Sequence, residues 1–188
     1  GWVSVKRTDA FIPDKTYIIK AIYEDASVGI CNKSVMSFGN ADELELCLSE
    51  KKAMHGMEFF AEEFINGREF SVSILAKKGR PVILTPSEIF FRGYEKRNKV
   101  KILDYNSKWE SASFEFQNTY SVPCSHCEDH ALLKEMREIS AKCWTYFKLK
   151  GYARIDFRVD KEGKPWVLEI NANPCITPGG SGFLKSAK

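Results

Sequence analysis

Two runs of alternating side chains near the carboxyl end constrain the fold more than any other feature. Residues 152–159 read YARIDFRV and residues 165–171 read PWVLEIN. Strand side chains point to opposite faces with a period of two. Arg154, Asp156 and Arg158 therefore share one face of the first run, while Ile155, Phe157 and Val159 share the other, which must meet a core. In the second run Val167, Glu169 and Asn171 share a face, and Trp166, Leu168 and Ile170 oppose it. Between the runs, Glu162-Gly163 suits a two-residue turn that sets Lys161 opposite Lys164. Counting outward from that turn places Asp156 directly opposite Glu169. A four-residue loop over 161–164 gives the same pairing, and a three-residue loop would put the two carboxylates on opposite faces. The pair demands an antiparallel sheet with one buried face.

The rest of the chain supplies partners for that sheet. Residues 16–20 form a short apolar strand ending on Lys20, and 23–30 form a small-residue loop that runs into another strand. Residues 40–52 carry Leu44, Leu46, Cys47 and Leu48 at roughly helical spacing, with Asn40 or Asp42 as cap. A strand is expected over 57–65, turned by Asn66-Gly67. A hairpin of 69–77 with 80–89 follows about Lys78-Gly79. Residues 90–113 read as a long charged loop with a short strand inside, and loops of that length are usually functional. The clearest helix is 129–149, with Leu132, Leu133, Met136, Ile139, Cys143, Trp144 and Phe147 on one face and Gly151 beyond its end. Strands outnumber helices and most neighbours are hairpin-linked, so the expected class is α+β with antiparallel sheets.

Composition narrows the function. In 188 residues, 44% hydrophobic and 28% charged side chains exclude disorder, collagen and coiled coil. No apolar run approaches the roughly 20 residues of a membrane span, and with no basic stretch leading into an apolar core at its start, no signal peptide is expected. The net charge of +3, from 28 basic and 25 acidic side chains, gives no bulk pull on nucleic acid. The six cysteines need not form a disulfide framework in a chain this long, so a reducing, cytoplasmic setting is expected. Gly1-Trp2-Val3-Ser4-Val5 reads as a strand already under way without an initiator Met, as in a fragment of something longer.

The chemistry concentrates on the last hairpin. Asp156, Glu169 and Asn171 on one face, with Arg154 beside them, form an all-oxygen ligand set. Such a set prefers Mg²⁺ or Mn²⁺ and leaves positions for phosphate oxygens and water. Spacing alone leaves a second reading open, a solvated polar face laced with cross-strand ion pairs.

With Gly151-Tyr152-Ala153-Arg154-Ile155-Asp156-Phe157 and Leu168-Glu169-Ile170-Asn171-Ala172-Asn173-Pro174 the chain resembles the ATP-grasp superfamily, in its D-alanine–D-alanine ligase branch. Three upstream segments agree in order: Ile18-Ile19-Lys20 with Glu24-Asp25-Ala26-Ser27-Val28-Gly29, then Ala61 through Phe70, then Asp104-Tyr105-Asn106-Ser107-Lys108-Trp109. The resemblance implies two α+β lobes whose antiparallel sheets clasp ATP, a smaller one over 1–66 and a larger one over 67–188. It implies that Lys20 meets the α- and β-phosphates as a point charge. Ser27 and the amides of Val28 and Gly29 would cover the β- and γ-phosphates. Glu62, Phe64 and Ile65 would hold adenine, and Glu69 the ribose hydroxyls, from a strand edge where its removal would hardly alter the fold. Lys108 would reach the γ-phosphate. Asp156, Glu169 and Asn171 would hold two Mg²⁺ ions, and Arg154 would stabilise the oxyanion of a tetrahedral intermediate. Arg154, Ser27 and Lys108 are thus the expected catalytic residues. The implied activity is ATP-dependent carboxylate–amine ligation through an acyl phosphate. Its partners would be ATP and small amino-acid or peptide substrates, with no nucleic acid and no membrane, and a homodimer of the full-length protein is compatible with it. The alternative is a nucleotide-binding or regulatory domain without ligation.

Several positions depart from the family pattern. The resemblance also implies an amino-terminal domain, which is expected to be missing from these 188 residues. Trp109 stands where the D-alanine ligases commonly carry a tyrosine whose hydroxyl works near the substrate, and Cys175 stands where glycine is usual. The tail Thr177 to Gly182 also differs where the family binds a substrate carboxylate, so D-alanine is expected to be a poor substrate. Cys124-Ser125-His126-Cys127, with His130 nearby, carries one CxxC pair and lacks the second pair of a strong zinc signal. The basic run from Arg92 to Lys101 lacks interleaved stacking aromatics and reads as a solvated or phosphate-drawn loop.

Overall fold

The computed structural model describes residues 2–4, 10–24, 26–124, 129–177, 183 and 186. The chain forms two compact units, Gly1–Phe64 with Phe91–Thr119, and Ile65–Phe90 with Tyr120–Lys188.

The first unit is built on a four-stranded antiparallel sheet ordered β1-β4-β2-β3. Its strands are β1 (Trp2–Ser4), β2 (Thr16–Ala21), β3 (Val35–Ser37) and β4 (Phe59–Glu63). Helix α1 (Ala41–His55) packs Leu44 and Leu48 onto Tyr17, Ile19 and Ala21 of β2 and Phe59 and Ala61 of β4. Burying each leucine contributes about 1.5–3 kcal/mol. The start of α1 is fixed by Asn40, whose side-chain oxygen accepts the Glu43 N–H at 2.9 Å. Its end is fixed by Gly56, left-handed at φ 68°, whose N–H donates to the Lys52 carbonyl. Leu46, expected on the apolar face, is exposed.

Residues 92–118 contain no strand, contrary to the expected strand inside a long loop. They hold a 3₁₀ turn (Glu95–Arg97) and two short helices, α2 (Tyr105–Trp109) and α3 (Phe114–Asn118). Side-chain caps make helices this short viable. Asp104 accepts the Ser107 N–H at 2.9 Å, and Ser113 accepts the Phe116 N–H at 3.0 Å. By its contacts this segment groups with the first unit rather than with residues 67–188. Val100 N–H donates to Asn32 Oδ1 at 2.6 Å and Ser27 Oγ to the Leu103 carbonyl at 2.6 Å. The basic run is engaged within the unit. Lys99 pairs with Glu115, Lys101 with Glu95, and the Arg97 guanidinium lies 4.2 Å from the Phe114 ring centroid.

The second unit is a six-stranded sheet ordered β10-β9-β5-β7-β8, with β6 also paired to β5. Its strands are β5 (Arg68–Lys77), β6 (Arg80–Ile83), β7 (Ser87–Phe91), β8 (Thr119–Pro123), β9 (Tyr152–Val159) and β10 (Pro165–Asn171). The β5–β6 hairpin turns where expected, with Lys78 and Gly79 both left-handed. The single strand expected over 80–89 is broken at 84–86 and resumes as β7, which pairs with the other end of β5. Helix α4 (His130–Tyr146) lays Leu133, Met136 and Trp144 onto Phe70, Val72 and Ile74 of β5 and Ala153, Ile155, Phe157 and Val159 of β9. It is shorter than expected at both ends, and Phe147 lies exposed beyond it. No described helix is long and apolar enough to cross a membrane.

Candidate functional site

Asp156 lies directly opposite Glu169, as expected, but by a different route. The connection runs over residues 160–164 and Val159 pairs with Pro165. Asp160 organises it, accepting the Glu162 and Lys164 N–H groups on Oδ1 at 3.1 and 2.8 Å and the Trp166 indole N–H on Oδ2 at 2.8 Å. That loop shifts the register by one residue, so Trp166 opposes Arg158 and Val167 opposes Phe157. Continued regularly, the shift would set Leu168 against Asp156. An irregularity between Val167 and Glu169 absorbs one residue, as a β-bulge does, and brings Glu169 opposite Asp156 and Asn171 opposite Arg154. Val167 therefore leaves the face of Glu169 and Asn171, and Trp166 moves to the face of Arg158, reversing both expectations.

On the resulting polar face the Arg154 guanidinium forks onto Asp156, Nε to Oδ1 at 2.7 Å and Nη2 to Oδ2 at 2.7 Å. Burial pulls the Arg154 pKa down. The charge and hydrogen bonds of Asp156, with Glu169 and Glu69 behind them, outweigh that pull and leave it above the ordinary arginine value. Asn171 Oδ1 accepts the Asn173 N–H at 2.9 Å, and Asn173 Oδ1 accepts the Tyr152 hydroxyl at 2.8 Å, which orders the chain leaving β10. The donor set of two carboxylates and one amide fits a hard divalent cation that takes its other ligands from phosphate and water.

The expected ribose residue, Glu69, is not at an open edge. It is 5% exposed and lies opposite Arg158, itself 4% exposed. Arg158 Nη1 donates to Glu69 Oε2 at 2.9 Å, and Arg158 Nε donates to the Ile65 carbonyl at 2.9 Å. Arg158 has no role among the residues the resemblance assigns to the site. Its signal was present, since an arginine between Phe157 and Val159 on a core strand needs a buried anion.

In the first unit, Lys20 Nζ pairs with Glu62 Oε2 at 2.5 Å across the β2–β4 ladder. Phe64 continues the ladder, its N–H on the Thr16 carbonyl at 2.8 Å. Ala26, Ser27 and Gly29 are left-handed at φ 53°, 66° and 73°. Two such residues that are not glycine are strained, as loops that present backbone to a ligand often are. The Trp109 indole N–H donates to the Ala26 carbonyl at 3.1 Å, and Lys108 sits beside it in the last turn of α2. Lys20, Ser27, Val28, Gly29, Glu62, Phe64 and Lys108 thus belong to the first unit, and Ile65, Glu69, Arg154, Asp156, Glu169 and Asn171 to the second.

A family model described as "D-ala D-ala ligase C-terminus" matches residues 16–188. The chain belongs to the D-alanine–D-alanine ligase family. A relative so named from Aquifex aeolicus is 34% identical over 160 residues, 85% of this chain and 46% of its own length. The crystal structure of a D-alanine–D-alanine ligase from Bacillus anthracis superposes with a TM-score of 0.58 at 26% identity, over 93% of this chain and 49% of that one. D-alanyl-alanine synthetase A from Vibrio cholerae gives 0.65 at 20% identity, over 92% and 47%, a likeness of fold. The chain spans about half the length of the relatives it matches.

The cysteines take separate roles around this family framework. Cys124 is buried, and burial pushes its thiol up to about 11. Ser125, His126 and Cys127, the rest of the zinc candidate, lie outside the described residues. Cys175 is exposed, and the Thr177 hydroxyl at 3.2 Å, more than the charge of Arg154, holds its thiol below the ordinary value. Of the divergent tail, residues 178–182 also lie outside the described residues.

Proposed function

We propose that the chain carries the nucleotide-binding and catalytic residues of an ATP-dependent ligase that joins a carboxylate to an amine. The observation that carries this reading is the β9–β10 face. There Asp156 opposes Glu169 and Asn171 opposes Arg154, so oxygen-bearing side chains stand beside a half-buried guanidinium. The names of the matching relatives support the same reaction class, with amino acids as substrates.

In this reading a substrate carboxylate oxygen attacks the γ-phosphorus and the bond to ADP breaks. An amine then adds to the acyl carbon, loses a proton and expels phosphate. The chain mainly positions reactants and neutralises charge. Lys20 and the 26–29 loop hold the triphosphate, and Lys108 approaches its γ end. Glu62, Phe64 and Ile65 hold adenine, and Glu69 the ribose. Asp156, Glu169 and Asn171 would hold two Mg²⁺ or Mn²⁺ ions, whose charge would neutralise the phosphate oxygens. Arg154, fixed by its fork onto Asp156, faces the oxyanion. Because Arg154 and Asp156 are already paired, the guanidinium needs no reorganisation when negative charge develops.

The test is hydroxylamine trapping of the acyl phosphate by the full-length protein with Mg-ATP and a panel of amino acids and dipeptides. Hydroxamate should form with a cognate carboxylate, and Glu169→Gln should reduce it by about 100-fold, as losing one charge-stabilising group does elsewhere. Tight Mg-ATP binding with no ADP or hydroxamate from any member of the panel would make the chain a binding domain.

A further inference from the structure

The nucleoside end of the proposed site contains a device that the reaction itself does not call for. Within the second unit, residues 65–69 turn back against the carboxyl end of β9. The turn lies so close that a Cβ on Gly67 would sit 1.9 Å from the Val159 carbonyl oxygen. Only glycine permits that approach, so the turn is seated on the backbone that follows Arg158. From the same place Arg158 reaches both ends of the turn, the Ile65 carbonyl through Nε and the Glu69 carboxylate through Nη1, each at 2.9 Å. The Glu69–Arg158 register on β5 and β9 puts the two side chains directly across from each other.

We infer that Arg158 is a positioning residue for nucleotide recognition: it fixes the adenine-contacting Ile65 and the ribose-contacting Glu69 in one frame and so sets discrimination for the ribose hydroxyls. This rests on the reading of residues 62–69 as the adenine and ribose segment. The guanidinium is a rigid planar fork, so two acceptors bound to it cannot drift relative to each other, which a lysine ammonium on a flexible stem would allow. A carboxylate offers about four acceptor sites, so Glu69 can keep Arg158 and still accept from ribose hydroxyls. Without the fork, the Glu69 side chain keeps several rotamers, and a hydroxyl must order it on binding. A purely structural ion pair would instead hold the sheet together and be indifferent to the sugar.

The two accounts separate on the sugar. Calorimetry on the full-length protein would compare Mg-ATP, Mg-2′-deoxy-ATP and Mg-3′-deoxy-ATP for wild type, Arg158→Met and Arg158→Lys, with melting temperatures alongside. Wild type should prefer ATP over the weaker deoxy analogue by roughly tenfold or more, the scale of a hydrogen bond to a charged group. In Arg158→Lys, which keeps the buried charge and the fold, that ratio should shrink to about threefold or less while binding of the triphosphate persists. Arg158→Met should remove the preference if it folds. If it does not, Arg158→Lys decides. An undiminished ATP-to-deoxy-ATP ratio in Arg158→Lys, with all three affinities lowered together, overturns the inference in favour of a structural pair. Absence of nucleotide binding or of sugar preference in wild type itself would remove the nucleotide reading of the segment, and the inference with it. The first failure shows only in the variants, the second already in wild type.

Discussion

Glu69 shows what a single residue conceals in sequence. Alternation places it on a strand, and the family resemblance gives it a ligand, but neither reveals that it is buried against Arg158. The expectation that its removal would hardly alter the fold therefore reverses. Glu69→Ala leaves a guanidinium buried without this carboxylate, and should cost about 3–5 kcal/mol in denaturant unfolding. The double variant Glu69→Ala, Arg158→Met should recover most of that loss, because no charge is left behind. Equal losses in single and double variants would refute the pairing. The cysteines differ at the same scale. At neutral pH iodoacetamide should modify Cys175 first and Cys124 last among the described cysteines, read by mass spectrometry of the labelled peptides. Exposure and the Thr177 hydroxyl favour the Cys175 thiolate, while burial disfavours that of Cys124. Cys124 also gives stability a pH dependence. Its pKa rises from 9.0 unfolded to about 11 folded. Across that window the unfolded chain has released a proton the folded chain retains, so stability falls as pH rises. Cys124→Ala should flatten that part of the profile.

Elements were legible where periodicity is long and punctuation strong. Helices α1 and α4 and the hairpin turn at Lys78-Gly79 follow from spacing, caps and left-handed residues. Five-residue helices carry no period to read, so α2 and α3 were hidden, though Asp104 and Ser113 stood at their starts as cap residues. The turn count and the observed β9–β10 register agree at Glu169 because two one-residue differences offset each other. Nothing in the sequence marked Asp160 as the organiser of a longer loop, and nothing marked a bulge at Leu168. Either difference alone would set Glu169 on the other face, since a one-residue slip reverses every side chain. Helix α1 offers a test at this scale. Asn40→Ala removes the acceptor for the Glu43 N–H and should destabilise the protein by about 1 kcal/mol. Asn40→Asp should restore most of it. An unchanged denaturation midpoint in Asn40→Ala would mean that this cap contributes nothing.

At the scale of the whole molecule, membership of the D-alanine–D-alanine ligase family does not fix the substrate. The resemblance assigns residues to the nucleotide and the metal, whereas the segments it assigns to the substrate depart from the family pattern. The resemblance sets Trp109 where the family commonly has a tyrosine hydroxyl, and the single N–H donor of Trp109 is engaged by the Ala26 carbonyl at 3.1 Å. An indole held in this way gives a substrate no polar contact unless that bond breaks. A substrate carboxylate brought into a site without a partner keeps an unpaired charge, at a cost of several kcal/mol. D-alanine should therefore be turned over poorly by the full-length protein, and another amino acid or a small peptide should release phosphate faster at saturating Mg-ATP. Trp109→Tyr should raise the rate with D-alanine relative to the better substrate by returning a hydroxyl. Comparing phosphate release and product masses across the panel, for wild type and Trp109→Tyr, decides the matter. Rapid formation of D-alanyl-D-alanine by the wild-type protein would show that the indole is no obstacle and that the activity named for its relatives is also its own.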